Sequence, residues 1–345
     1  MSEVAAAVGL AEGEAGVRAV IDALARLEPV SIRRVSRAVE LPVPIVASVC
    51  GELRKRAVVA QERPARLTGE GRQLFAAGRL RVDAGPATWT PPRDALPREL
   101  GAAVAEIARA AARAPQPRFE LDQCHCTVET KVRRVLAVDE AGALVGRRIL
   151  LLGDDDLIAL AIRTLARRFG SRSTVASLVV VDSDPAVLRY LRRGLDRSPF
   201  PFSCLEHDLR EPLPPALAGR FDTVLTDPPY TLGGARLFLS RAVEALAGGG
   251  DIFLSFGSRR PGATLLLQRT FGEMGLAIRG LARDFNEYVG AGVLGGTSHL
   301  YHLRAAGDAT PAVRGIFRGP LYTAETQSRV ESAHGIQGQL ARRAR

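Results

Sequence analysis

Lysine is nearly missing from this chain. Lys55 and Lys131 are its only examples, so arginine supplies almost all of the 47 basic side chains. Cysteine is scarce as well: four in 345 residues do not make a disulfide scaffold. No apolar run approaches the ~20 residues of a membrane-spanning helix, so no membrane partner is expected. The N-terminus lacks a basic stretch followed by a long apolar core, so no secretory signal is expected and a cytoplasmic location is. What remains is 46% hydrophobic, enough for a globular chain with a sizeable core. The net charge of +10 is compatible with nucleic-acid binding. Beside so much alanine, however, the arginine skew resembles the codon bias of a GC-rich genome and says little about partners.

The first third of the chain reads as helical. Residues 1–13 are small and polar and should fray. Helical spacing follows over Gly16–Leu27, Ile32–Val39 (with Ser31 as its cap) and Ile45–Lys55. A short hairpin around Glu62-Arg63-Pro64 leads to a fourth helix, Glu70–Ala77. Three helices and a hairpin make a winged-helix-like domain over 1–82, with Arg54, Lys55 and Arg56 ending the recognition-type helix. That module binds DNA in some proteins and serves as a dimerisation or substrate-covering unit in others. Residues 83–146 read as a linker and helical connector, with extended pieces at Trp89-Thr90-Pro91-Pro92 and Pro115-Gln116-Pro117 and a helix over Leu100–Ala114. Within it, Cys124-His125-Cys126 offers possible metal ligands, but no second cysteine pair follows at zinc spacing. The alternative is a packed turn lining a pocket together with Gln123.

From Arg148 the chain alternates strand and helix. Strands are expected at Ile149–Leu152, Leu178–Val181, Phe202–Leu205, Phe221–Thr226 and Asp251–Phe256, then at Leu276–Asp284 and His299–Arg304. Seven strands with late antiparallel ones predict an α/β fold: a Rossmann-like, class I methyltransferase-type sheet over 147–310. Residues 311–345 read as a solvated tail.

Acids gather at the predicted strand ends. The first strand ends in Gly153-Asp154-Asp155-Asp156. Three adjacent carboxylates repel one another and suit a cation, not a phosphate. Asp182 follows the second strand, where a carboxylate can accept ribose hydroxyls. Asp208 follows the third and could accept from an adenine amino group. The fourth ends in Asp227-Pro228-Pro229-Tyr230, whose prolines stiffen the turn and whose tyrosine offers a ring face to a cation. Asp182 and Asp184 could instead cap the next helix, and Asp208 could be a solvated turn. Asp-Pro-Pro-Tyr is similar to the motif of amino-methyltransferases, which act on nucleic acid or protein and have a glycine-rich first turn. Here aspartates fill that turn. They favour a donor with a free ammonium and no carboxylate, decarboxylated S-adenosylmethionine, as co-substrate.

Gly153-Asp154-Asp155-Asp156-Leu157 together with Asp227-Pro228-Pro229-Tyr230-Thr231 resembles the branched-chain polyamine synthases, the N(4)-bis(aminopropyl)spermidine synthases. Leu121–Thr127, Asp284-Phe285-Asn286-Glu287-Tyr288 and Ser298-His299-Leu300 resemble them too. The resemblance implies aminopropyl transfer to the secondary amine of spermidine, with methylthioadenosine leaving. It implies Asp156, Asp227 and Tyr230 as catalytic residues, with Asp156 facing the acceptor by analogy with linear spermidine synthases and Asp227 as the rival base. Gly153, Asp154, Asp155, Asp182, Asp184, Asp208 and Pro228 are expected around the donor, Asp154 and Asp155 orienting its ammonium. Asp284, Glu287, Tyr288 and His299 are expected around the polyamine. No metal or bound cofactor is expected, nucleic acid is not an expected partner, and a homodimer is. The competing readings are an S-adenosylmethionine-dependent methyltransferase and a DNA-binding regulator that senses polyamine.

Overall fold

The computed structural model describes residues 1–39, 41–77, 96–169, 175–257, 261–289 and 296–325. The Trp89–Pro92 stretch and residues 326–345 lie outside the described residues. Seven strands form one sheet: β1 (Arg148–Leu152), β2 (Ser177–Asp182), β3 (Phe202–Glu206), β4 (Phe221–Thr226), β5 (Leu246–Phe256), β6 (Leu276–Glu287) and β7 (Thr297–Ala305). Their order is β3-β2-β1-β4-β5-β7-β6. The first five strands are parallel, and β7 runs antiparallel to both β5 and β6. This is the predicted α/β arrangement.

The apolar run of β1 shows why the sheet is buried on both faces. Ile149 and Leu151 point into one core, Leu150 and Leu152 into the other, and none is more than 1% exposed. Alternation along a strand sends neighbours to opposite faces, so a continuous apolar run needs helices on both sides. On the first face lie α6 (Gly101–Ala111), α7 (Val128–Glu140), α8 (Ile158–Phe169) and α9 (Pro185–Leu195). On the second lie α10 (Leu232–Ala245) and α11 (Pro261–Glu273). Each fully buried leucine contributes roughly 1.5–3 kcal/mol.

The N-terminal part has a core of its own, built from α1 (Ser2–Val8), α2 (Gly13–Leu27), α3 (Ile32–Val39), α4 (Val43–Lys55) and α5 (Gly69–Ala77). Antiparallel bridges join Val30 to Ala65 and Val59 to Leu67. The first residues do not fray as expected: α1 buries Val4 and Ala5 against this core, and Gly9 ends it at φ 60°.

Two other expectations change. The described part of the 83–146 connector belongs to the core of the sheet, because Leu100, Ala103 and Ile107 of the α6 region and Val132, Val135 and Val138 of α7 are buried in it. Residues 311–325 are not a solvated tail. Arg241, fully buried on α10, donates to the carbonyls of Leu209, Arg210 and Gly315. Thr231 donates to Leu321 O at 2.7 Å, and Thr323 donates its amide and hydroxyl to Asp122. An arginine can be buried when its forked donors all find acceptors, and here it ties the segment across the strand ends.

Candidate active site

β1 neighbours both β2 and β4, so consecutive connections diverge there and open a crevice at the carboxyl ends of the strands. Two cavities occupy it. The outer one lies between Asp182, Asp208 and Pro229 at the strand ends and Gln123 and Tyr322 above them. The inner one has apolar walls, including Leu151, Leu225 and Phe253, and carries Asp154, Asp155, Asp156 and Arg134. Gly153, Asp155 and Asp227 line both.

Gly153 leaves β1 at φ 74°, a conformation open to glycine at no steric cost. Leu157 adopts φ 58° before α8, which for a residue with a branched side chain costs about 1–2 kcal/mol. Between these points the three aspartates point to different partners. Asp154 turns into α8 and accepts from Ile158 N (2.6 Å) and Ala159 N (3.0 Å). It is a buried helix cap in the wall of the inner cavity. Among the described residues Asp155 accepts only a long bond from Cys124 N, at 3.2 Å, and it stands where the two cavities meet. Burial and the surrounding aspartates push its carboxyl well above the usual range. Asp156 accepts from Cys126 N (2.5 Å) and from Arg134 Nη1 (2.7 Å), with Lys131 Nζ 3.7 Å away. Burial alone would raise it, but the two cations overcome that and hold it at about 2.

Asp227 has the opposite balance. Arg134 Nη2 (2.7 Å) and the Tyr288 hydroxyl (2.6 Å) donate to Oδ2, yet burial and the nearby Asp156 lift it to about 6. Asp156, the favoured acceptor-facing base, is thus the poorer proton acceptor, and its rival Asp227 is the better one. Tyr230 completes a chain of hydroxyls: its OH lies 2.6 Å from that of Tyr288, which lies 3.0 Å from Ser298 Oγ. The Tyr230 ring packs 5.3 Å from Phe256.

Around the outer cavity Asp182 accepts from the amides of Asp154 and Asp184, and burial raises its carboxyl. It ties the first two strand ends together while lining the space. Asp184 is a cap: it accepts from Ala186 N at 2.8 Å and from the Gln123 amide at 3.2 Å, and it does not line the cavity. Asp208 lines the cavity and accepts from Arg210 N. Pro228 is buried, and Pro229 is the proline that faces the space.

Of the four residues expected around the polyamine, Tyr288 reaches the site. Asp284 is exposed at φ 52°, its amide donating to His299 Nδ1, and Glu287 is exposed with its carbonyl accepting from Thr127 N. Asp284, Glu287 and His299 line neither cavity.

The Cys-His-Cys segment is a packed turn. Cys126 is fully buried with its amide on Asp156, the Cys124 thiol faces Val289 O, and His125 O accepts from Val289 N. Among the described residues no three His, Cys, Asp or Glu side chains converge as metal ligands would. Lys131 and Arg134 were missed by reading the strand ends alone. Their signal was faint: two cations three apart on one helix face, one of them among the two lysines of the chain.

A family model described as the branched-chain polyamine synthase A C-terminal domain matches residues 102–307. An uncharacterized protein of Methanocaldococcus jannaschii is 32% identical over 310 residues, covering 88% of this chain and 77% of its own. The N(4)-bis(aminopropyl)spermidine synthase of Thermococcus kodakarensis is 33% identical over 186 residues, 52% of this chain and 50% of that protein. The match therefore spans half of that enzyme's length. The branched-chain polyamine synthase C9 mutein of Thermus thermophilus, solved with N4-aminopropylspermidine and 5'-methylthioadenosine, superposes with a TM-score of 0.59 at 26% identity, over 94% of this chain and 95% of that one. With its two acidic turns facing one crevice, the chain belongs to the branched-chain polyamine synthase family.

Proposed function

We propose that this chain is an aminopropyltransferase that moves the aminopropyl group of decarboxylated S-adenosylmethionine to the secondary amine of spermidine, making a branched polyamine. One observation carries the reading: the outer and inner cavities meet at Gly153, Asp155 and Asp227. The nucleoside of the donor fits the outer cavity, with Asp182 beside its ribose and Asp208 beside its base. The aminopropyl chain passes Asp155, whose raised carboxyl becomes an anion as an ammonium arrives. A carboxylate-bearing tail would be repelled there, which is why the donor is the decarboxylated one.

Asp227 receives one proton from the spermidine secondary ammonium. The freed lone pair attacks the carbon beside the sulfonium, a C–N bond forms, the C–S bond breaks, and its electrons neutralise sulfur in the departing methylthioadenosine. The product keeps the remaining proton as a tertiary ammonium. Much of the acceleration comes from aligning nitrogen, carbon and sulfur.

We read the N-terminal unit as winged-helix-like and as a covering or pairing module, with a homodimer as the assembly. The end of α4 supports a role other than DNA binding: Lys55 and Arg56 both pair with Glu52, and Arg54 donates to Ala60 O.

Incubation with spermidine and each donor tests the function. Methylthioadenosine and a branched tetraamine are expected from decarboxylated S-adenosylmethionine. Turnover or tighter calorimetric binding of ordinary S-adenosylmethionine would point to methyl transfer and overturn the proposal.

A further inference from the structure

Arg134 takes no part in the steps above, yet it spans both acidic turns. It projects from α7, outside the parallel strands, and is 5% exposed. Its Nη1 lies 2.7 Å from Asp156 Oδ2, its Nη2 2.7 Å from Asp227 Oδ2 and 3.0 Å from the Tyr288 hydroxyl, and its Nε 2.7 Å from Asn286 Oδ1. Lys131, almost one turn earlier and 1% exposed, adds a second cation to Asp156. A buried cation in the wall of a pocket for a polycation, with a second one beside Asp156, calls for a reason. Compensating Asp156 is part of it, but the second branch of the guanidinium goes to Asp227.

The division of partners is unequal. Asp156 uses both oxygens on Cys126 N, Lys131 and Arg134. Asp227 takes Arg134 and Tyr288 on Oδ2, and among the described residues nothing donates to its Oδ1. We propose that Arg134 is a positioning residue: with Lys131 it keeps Asp156 a permanent anion, and it turns Asp227 so that Oδ1 alone meets the acceptor nitrogen as proton acceptor. The proposal rests on the aminopropyl-transfer reading for its chemistry. It also gives the inner cavity a way to choose the reacting atom. Fixed cations there disfavour an ammonium and favour a neutral nitrogen, while the flanking ammoniums fall to Asp155.

Asp227 is faced by Arg134 from α7, Asp155 and Asp156 from the β1 turn, Tyr230 on its own turn, Tyr288 at the end of β6 and Cys124 from the connector. Removing the guanidinium leaves the anions and the neutral hydroxyls, so Asp227 should bind its proton more tightly. A merely structural arginine would lower the rate at every pH without moving the profile.

The pH dependence of kcat/KM with decarboxylated S-adenosylmethionine and spermidine therefore tests it, in wild type, Arg134→Gln and Arg134→Lys. For Arg134→Gln a loss on the order of 10²-fold and an acidic limb displaced upward by at least about one pH unit are expected. Arg134→Lys should recover part of both, because a point charge can reach one carboxylate but cannot bridge two. Losses with the limb unmoved in both variants overturn the proposal. Should Arg134→Gln fail to fold, carboxyl infrared titrations of wild type against Asp227→Asn and Asp156→Asn provide a readout without turnover. Asp227 should titrate near 6 and Asp156 far below it; the reverse order also overturns the proposal. A wild type that titrates in the expected order without aminopropyl transfer sinks the functional reading and leaves the division between the two carboxylates standing.

Discussion

The outer and inner halves of the crevice use the same side chain in two ways. At the outer cavity Asp182 accepts from the amides of Asp154 and Asp184, with Asp184 behind it on Ala186 N; Asp154, though it lines the inner cavity, follows the same pattern on Ile158 and Ala159. On the inner side Asp156 and Asp227 accept from full charges and a phenol. Amide dipoles orient a carboxylate, but at Asp154 and Asp182 they do not outweigh burial, and both carboxyls are pushed upward. Two cations do outweigh it at Asp156, and one shared cation does so only in part at Asp227. Whether an aspartate here is scaffold, fixed anion or base is decided by what faces it.

The sharpest way to break this contrast is Asp227→Asn. It should lower kcat at least about 10²-fold, while calorimetric binding of methylthioadenosine in the outer cavity changes only a few-fold. Near-normal turnover would mean that Asp227 is not the base and that the inner half has been misassigned. Asp156→Asn acts through stability first. It leaves Arg134 with one carboxylate and Lys131 with the Cys126 sulfur but, among the described residues, no carboxylate in ion-pair reach, and loss of one partner from a buried pair costs about 3–5 kcal/mol. Denaturant unfolding of the two variants should therefore place Asp156→Asn well below Asp227→Asn. Equal midpoints would erase the distinction between the fixed anion and the base.

A smaller effect depends on pH. Asp227 is raised in the fold, so its contribution to stability is complete below the unfolded value near 3.8 and is lost as pH rises through about 6. Asp156 is lowered, so its contribution is present above 3.8 and is lost as pH falls towards about 2. Between pH 4 and 7 wild type should lose stability relative to Asp227→Asn by a few kcal/mol. Thermal unfolding of both proteins across that range checks it; parallel curves would contradict the raised carboxyl.

Much of this architecture was legible in the residues, and the reasons are local. The apolar run of β1 with its glycine, and the turns at Asp182, Asp208 and Asp227, announce a parallel sheet and its ligand edge, because strand burial and turn chemistry act over a few residues. The counter-ions were not legible. Arg134 reaches Asp227 across 93 positions and Asn286 across 152, distances over which no spacing rule operates. Asp284 and Glu287 stand in the same stretch as Tyr288, and His299 on the neighbouring β7, yet their position beyond the wall of the cavities follows from the register of β6 on β7, which shifts between Ala282 and Asn286. The segment 311–325 looked solvated because Arg241, the side chain that binds it, is on another helix.

The smallest effect separates scaffold from chemistry within the outer half itself. Asp182 and Asp184 lie two residues apart at one strand end, and both were candidates for the donor as well as for the helix cap. Asp184 is the N-cap of α9, with Pro185 at the first helical position and its carboxylate on Ala186 N. Asp182 lines the cavity. Asp184→Ala should cost about 1 kcal/mol of stability and leave the affinity for methylthioadenosine within a few-fold. Asp182→Ala should weaken that affinity by roughly tenfold or more, since it removes a charged acceptor from a ribose hydroxyl. Paired calorimetric and thermal measurements on the two variants decide it. If Asp184→Ala were to weaken nucleoside binding as much as Asp182→Ala, the cap would be part of the donor site, and the outer half would be as chemical as the inner one.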